Sequence, residues 1–231
     1  MEVIYSDKNL IVINKPPGIS VHGGNGVRGE TLVDLLLKQF PEIKNVGDEP
    51  AIRPGIVHRL DKDTSGVMVA ARNQKSFEIL KELFKTRKVE KIYCAIVCGL
   101  MRQKKGTIDF PIGRILKNPT KRGVAVARHG IKGAREARTD FRVIKTSKEY
   151  SFVELNPKTG RMHQLRVHLK AIGHPVACDR IYGGARVCCP SEAGRQLLHA
   201  QSLSFSFPEG KKLHFEADAP PDFRVALESI F

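Results

Sequence analysis

The run His58-Arg59-Leu60-Asp61-Lys62-Asp63-Thr64-Ser65 places two carboxylates, an arginine and two hydroxyls ahead of Gly66. The chain then turns apolar, as Val67-Met68-Val69-Ala70-Ala71. The second stretch reads as a buried strand: short, partly β-branched and bounded by a turn signal. The first reads as the loop that feeds it. A carboxylate there can serve as nucleophile or general base if it stays ionised at neutral pH. A water-poor pocket would raise its pKa, and a nearby arginine would lower it by about 1–3 units. The plainer alternative is a carboxylate that caps a turn. Asp61 and Asp63 have the same local chemistry, and spacing alone does not choose between them.

Other candidate sites read less sharply. Gly24-x-Gly26-x-x-Gly29 precedes a helix and matches a dinucleotide or S-adenosylmethionine fingerprint on paper. That fingerprint needs its glycines directly after a strand, and here Pro16-Pro17 intervenes, so a flexible glycine loop is the better reading. The eight histidines are scattered, with no His-Glu-x-x-His and no Cys-x-x-Cys, so no metal is expected. Tyr93 sits mid-strand between Ile92 and Cys94, either as a site aromatic or as a core tyrosine. Segment 114–138 carries Arg114, Lys117, Lys121, Arg122, Arg128, Lys132, Arg135 and Arg138 against one acid, Glu136. Its glycines and proline make it loop-like. Its one-sided charge reads as a mobile phosphate-binding arm rather than an ordinary solvated face.

These residues need a scaffold. "EVIYSDKNLIVINKPPG" predicts strand, turn over Ser6 to Asn9, strand, and a stop at the prolines. "ETLVDLLLKQFP" predicts a helix capped by Thr31, with Leu32, Leu35, Leu36 and Phe40 on one face and Pro41 as its end. "NQKSFEILKELFKTRK" predicts a second helix, with Asn73 as cap and Phe77, Leu80 and Phe84 inward. "KIYCAIVCG" and "YSFVELNPKTG" predict strands. Met162, Leu165, Leu169 and Ile172 are spaced as a helix face, with Gly173 past its end. "SLSFSFP" alternates Leu203, Phe205 and Phe207 with serines, as a strand with one wet face does. "DFRVALESIF" predicts a closing helix with Phe223, Leu227 and Ile230 inward. The expected class is mixed α+β: a largely antiparallel central sheet flanked by helices and loops, in one domain over residues 1–231.

The 231 residues are 41% hydrophobic, enough for a sizeable core. Lys and Arg number 39 against 24 Asp and Glu, a net charge of +15. A folded chain with a pI near 9.8 points to a polyanionic partner, nucleic acid or an acidic membrane surface. Low aromatic content, with no Trp, argues against a stacking platform for single strands. Five cysteines, an odd count with Cys188 and Cys189 adjacent, are expected to be reduced thiols in a cytoplasmic protein. The N-terminus lacks the pattern of a signal peptide, and no run approaches a membrane span.

The motif His58-Arg59-Leu60-Asp61 with Thr64-Ser65-Gly66 resembles the signature of the RluA/RluD family of RNA pseudouridine synthases. Further stretches are similar to the family's other motifs, in the same order: "NKPPG" with Val21-His22; Lys91 with Tyr93-x-Ala95; "TGRMHQLRVHL" followed by "GHPVACDRIYG"; and "LHA" followed by "LSFSFP". The resemblance spans about residues 2–217. Met162 stands where relatives often have a small or polar residue. The small N-terminal RNA-binding domain of many relatives is expected to be absent, with RNA recognition resting on this domain alone.

The resemblance implies an isomerase that breaks the bond between uracil and ribose, turns the base and rejoins it through carbon 5, with no metal or organic cofactor. It selects Asp61 as the essential aspartate, nucleophile or base. Arg166 is implied as its pairing arginine and Tyr93 as the residue that stacks on the target base. Leu198 is implied as pocket lining, and Arg59 as the group entering the space left by the flipped uridine. Lys121, Arg122 and Arg128 are expected to grip the RNA backbone. The expected substrate is structured ribosomal or transfer RNA, and the chain is expected to act as a monomer without an obligate protein partner. Rival readings are a non-catalytic RNA-binding or chaperone protein on the same fold and an S-adenosylmethionine-dependent RNA methyltransferase.

Overall fold

The computed structural model describes all residues except 25, 126–129, 185–187, 191–192, 209 and 211. Its strands are β1 (Glu2–Ser6), β2 (Leu10–Lys15), β3 (Ser65–Ala71), β4 (Glu90–Cys98), β5 (Lys105–Asp109), β6 (Ile112–Ile115), β7 (Asn118–Val124), β8 (Ile131–Arg135), β9 (Arg138–Thr146), β10 (Tyr150–Pro157), β11 (Leu198–Ser206) and β12 (Lys212–Glu216). Its α-helices are α1 (Leu32–Gln39), α2 (Gln74–Lys85), α3 (Gln164–Ala171) and α4 (Pro221–Ile230). The pairings are largely antiparallel, and the expected α+β class holds.

The chain forms two compact units. The first comprises Met1–Lys91 and Ala200–Ala219; the second comprises Ile92–His199 and Pro220–Phe231.

In the first unit β1, β2, β3 and β11 lie side by side, with β12 on β11. The β1–β2 turn is tightened by Asp7, whose Oδ1 accepts from the backbone N–H groups of Asn9 and Leu10. Every residue of β3 is buried, which explains its unbroken apolar run. Gly66 has φ +120°, and a Cβ there would overlap the Ala200 carbonyl oxygen and lie 2.6 Å from its nitrogen. Only glycine lets β11 approach the start of β3 so closely. Thr31 and Asp34 form a reciprocal capping box at the start of α1. Asn73 caps α2 by accepting from Ser76 N. Both helices thus begin at the expected caps.

In the second unit β4, β10, β9 and β5 form an antiparallel row. A core of Ala95, Val97, Val153, Leu155, Leu165, Leu169 and Leu198 packs against it. The predicted helix after "TGRM" is α3, but it starts at Gln164. Met162 lies before it and is 46% exposed, because His163 adopts a left-handed conformation, φ 58°, at the helix start. The spacing of Met162 imitates a helix face that the backbone does not carry that far. Gly173, with φ +85°, follows the C-cap as expected. In β11, Leu203 and Phe205 are buried, whereas Phe207 lies past its end.

Two expectations are corrected. Segment 114–138 is not loop-like where described: β6, β7 and β8 make a three-stranded antiparallel sheet in the order β7-β6-β8. Of its glycines, Gly123 serves close packing, since a Cβ there would meet Ile131 Cδ1 at 2.9 Å, whereas Gly130 and Gly133 have open space around them and positive φ, +95° and +63°. Ile112, Ala137, Val167 and Tyr182 form the small core beneath. The cysteines are not all thiols either. Cys98 is bridged to Cys188 and Cys178 to Cys189, and Cys94 alone is free. Adjacent cysteines are poor partners for each other, yet each meets a different cysteine elsewhere in the second unit.

Candidate active site

The loop before β3 is held by a lysine with no exposed surface. Lys15 closes β2, and its Nζ donates to the carbonyls of Pro16 at 2.8 Å, Ile19 at 3.0 Å and Lys62 at 2.9 Å. Gly18 N also donates to Lys62 O, at 3.0 Å. A buried ammonium is tolerated only when its donors are satisfied, and here carbonyls of two separate loops do so. "NKPPG" and the "HRLD" loop are thereby tied at the residue after Asp61. Thr64 N donates to the Asp61 carbonyl at 3.1 Å, closing the turn. Asp61 is half-buried and Asp63 exposed. That difference in environment was not readable from their shared local chemistry.

His58 and Arg59 flank this loop differently. Val69 N donates to His58 Nε2 at 3.1 Å, and the ring stacks on Phe84 with centroids 4.5 Å apart. Although an edge reaches solvent, protein atoms enclose the ring and its desolvation pushes the pKa down to about 3, with the Lys91 charge adding to the effect. Its ordinary value is 6.5, so between the two values the unfolded chain binds the extra proton. His58 therefore contributes stability that is complete above about pH 6.5 and falls by up to about 1.4 kcal/mol per pH unit toward pH 3. Burial lowers the pKa of His168 in the same direction. Urea unfolding of wild type and His58→Gln at about pH 4 and about pH 7 checks this. The wild type is expected to lose more stability between the two pH values than the variant. Equal losses would refute it.

Arg59 is exposed, and its Nη1 lies 3.1 Å from His22 Nε2. His22 Nδ1 is 2.7 Å from Gly23 O, which requires Nδ1–H and leaves Nε2 to accept from Arg59. The glycine stretch sits beside this contact. Its strand, β2, ends at Lys15, well short of Gly24, so the geometry of a dinucleotide fingerprint is missing.

The second unit holds the other expected residues. Tyr93 is half-buried on β4 opposite Leu155, and packs on the cluster that includes Leu165 and Leu198. Arg166 follows Leu165 on α3 and is 4% exposed. Its Nε and Nη2 donate to the two carboxylate oxygens of Asp179 at 2.7 and 2.9 Å, and its Cζ lies 5.1 Å from the Tyr182 ring centroid. Asp179 Oδ1 also accepts from Ile181 N and Tyr182 N. Asp179 therefore both fixes the guanidinium plane and builds the turn beneath it. The sequence reading missed Asp179. Its signal in the sequence is its place in "GHPVACDRIYG", one of the motifs that carry the family resemblance.

Around this pair the rest of the "TGRMHQLR" stretch is structural. Gln164 accepts from Thr159 Oγ1 and Arg161 N, and donates to Arg138 O and Thr139 Oγ1. His163 Nδ1 is 2.7 Å from Tyr182 OH, and Arg122 N donates to the same hydroxyl at 2.9 Å. That hydroxyl links the basic sheet to the Asp179 turn. Lys121 and Arg122 lie on β7, and the Arg122 side chain donates to the Pro119 and Lys121 carbonyls. Arg128 lies outside the described residues. Among the described residues no buried side-chain nitrogen or oxygen lacks a hydrogen-bond partner, and no cluster of His, Cys, Asp and Glu is placed to hold a metal ion. No described helix is long and apolar enough to cross a membrane.

Known proteins resemble this chain in sequence and in fold. The family model described as RNA pseudouridylate synthase matches residues 9–171. An uncharacterized RNA pseudouridine synthase of Synechocystis is 37% identical over 231 residues, covering 98% of this chain and 68% of the relative. Ribosomal large subunit pseudouridine synthase D of Borreliella burgdorferi is 38% identical, covering 99% and 68%. The solved structure of human RNA pseudouridylate synthase domain containing 1 superimposes with a TM-score of 0.78 at 28% identity, covering 96% of this chain and 85% of that one. Human RNA pseudouridylate synthase domain containing 4 gives 0.77 at 29%, covering 98% and 92%.

Proposed function

Because this chain belongs to the RNA pseudouridylate synthase family, and is therefore an isomerase acting on RNA, we propose that its substrates are uridines in structured ribosomal or transfer RNA and that Asp61 is its catalytic carboxylate. The observation that carries the residue assignment is the Lys15 clamp on Lys62, which fixes the chain directly after the half-buried Asp61 and leaves Asp63 outside. The ribosomal name of the Borreliella relative favours ribosomal RNA.

In the proposed reaction the glycosidic bond from uracil N1 to the sugar breaks, the base turns, and carbon 5 bonds to the sugar. Carbon 5 gives up its proton and N1 ends protonated, so the product is an isomer of the substrate. Asp61 acts as nucleophile or base. Tyr93 stacks on the base, Leu198 lines its pocket, and Arg166 supplies positive charge to the carboxylate. Arg59 enters the stack that the flipped uridine leaves; flipping costs a few kcal/mol, which a filler offsets in part. The proposed protein is a cytoplasmic monomer that needs no cofactor. Mapping pseudouridines in cellular RNA with and without the gene tests the substrate assignment. Loss of specific ribosomal or transfer RNA positions is expected, and unchanged maps would overturn it.

Lys121, Arg122 and Arg128 are the proposed phosphate contacts. Each phosphate contact removed lowers the slope of log affinity against log salt by about 0.7–0.9. Replacing all three with alanine is expected to weaken RNA binding and flatten that slope by about two units, with little change in the rate for bound RNA. Affinities at several salt concentrations check this. An unchanged slope would mean an ordinary solvated face.

A further inference from the structure

We propose that Cys98, Cys178, Cys188 and Cys189 form a reversible thiol-oxidation site that takes a hydroperoxide or a small-molecule disulfide as oxidant and, when oxidised, clasps the turn that positions Arg166. The inference rests on the reading of Arg166 as a site residue.

The placement of the four residues carries it. Cys98 ends β4, the strand that bears Tyr93. That strand end is already tied down, since Cys98 N donates to Pro175 O at 2.9 Å and His174 Nδ1 lies 2.9 Å from Cys98 O. Cys178 directly precedes Asp179, and its N–H donates to Cys188 O at 2.8 Å. The adjacent pair Cys188-Cys189 thus reaches two separate anchors. One is on β4, 90 residues away in sequence; the other is at the Asp179 turn, 11 residues away. The Cα atoms are 5.9 and 4.6 Å apart, within the ordinary range for bridges.

The shorter closed loop, Cys178 to Cys189, contains Asp179 and Tyr182. These are the carboxylate that holds Arg166 through two hydrogen bonds and the ring beneath its guanidinium. Cys178 has φ +59°, a conformation that side chains other than glycine adopt at a cost. Its bridge, together with its backbone bond to Cys188, holds that conformation. Cys94 provides an internal contrast: it is buried with its thiol pushed up to about 12, which keeps it protonated and unreactive. In a reducing compartment, bridges that do form are mostly transient or redox-sensing.

The chemistry balances. Two thiols and one hydrogen peroxide give one disulfide and two waters; sulfur is oxidised, peroxide oxygen is reduced, and the thiol protons leave in water. A second peroxide closes the second bridge. With a small-molecule disulfide as oxidant, two protein thiols exchange with it to give one bridge and two small thiols. A dithiol reduces each bridge back to two thiols and becomes a disulfide itself.

The test uses the full chain purified under reductant, then divided and treated with hydrogen peroxide, oxidised glutathione or nothing. Thiols titrated after denaturation are expected to fall from five to one. Closing a loop of this size should raise the melting temperature by about 5–10 °C. The oxidised protein is expected to turn over RNA faster than the reduced protein, with RNA affinity changed much less. Cys98→Ser/Cys178→Ser should show neither the melting shift nor the rate response. Five thiols remaining after oxidant, a double variant that responds like wild type, or zinc released in step with four titrated thiolates would overturn the proposal. Thiol count and melting shift need no RNA. Bridges that form in a protein inactive on every RNA would therefore refute the functional reading and leave the oxidation site standing.

Discussion

Asp61→Asn is expected to lower the single-turnover rate on RNA by about 10⁴-fold or more, the scale on which loss of a reacting group acts. RNA affinity and melting temperature should stay near wild type. Asparagine keeps the shape of the half-buried side chain, and the loop is held through backbone atoms, by Lys15 at Lys62 O and by Thr64 N at Asp61 O. What is lost is the charge a nucleophile or base requires. Asp63→Asn is the matched control, two residues away and exposed, and should retain activity. Tritium release from carbon 5 of labelled uridine in RNA measures both variants. Substantial turnover by Asp61→Asn would remove it from the mechanism, and a dead Asp63→Asn would move the assignment.

Arg166→Lys is expected to cost about 10²-fold in single-turnover rate, as small misplacements in a reacting site do. RNA affinity should fall far less. Lysine keeps the charge but lacks the planar fork that meets both oxygens of Asp179. The structure adds an effect that Arg166 in isolation would not show. Its partner carboxylate has no exposed surface, so removing the arginine altogether, as in Arg166→Met, should destabilise the protein by about 3–5 kcal/mol. The lysine variant should lie between wild type and the methionine variant. Asp179→Asn should reproduce much of the rate loss, since it releases the guanidinium from one of its two anchors. A lysine variant with near-normal rate and stability would show that the fork is not needed. Normal rates in Asp179→Asn would show that the pair serves only the fold.

Elements governed by short-range rules could be read from the sequence. Thr31 and Asn73 cap their helices where expected, because a cap depends on residues within one turn. The buried strand after Gly66 followed from its own composition. The α+β class followed from the alternation of such elements. Asp61 could be singled out only through the motif it shares with a family. Its half-burial and the exposure of Asp63 belong to the folded loop, which Lys15 holds at Lys62 from 47 residues away in sequence.

The failures share one cause: long-range contacts that local spacing does not encode. Glycines and one-signed charge in 114–138 resemble a loop, yet the segment pairs into strands, and Ile131 crowds Gly123 across that sheet. Met162 has helical spacing, but His163 turns left-handed before α3 begins. Cys98 finds Cys188 across 90 residues. Arg166 is expected as the partner of Asp61, and the fold also gives it the Asp179 carboxylate, which fixes its plane. The sequence by itself determined the local elements, the net charge and the motif that marks the chemistry, since each is written in neighbouring residues. Only the tertiary structure decided which lysine clamps the loop before β3, which carboxylate orients the arginine and which cysteines meet. Those partners are chosen by packing, and packing is a property of the folded chain.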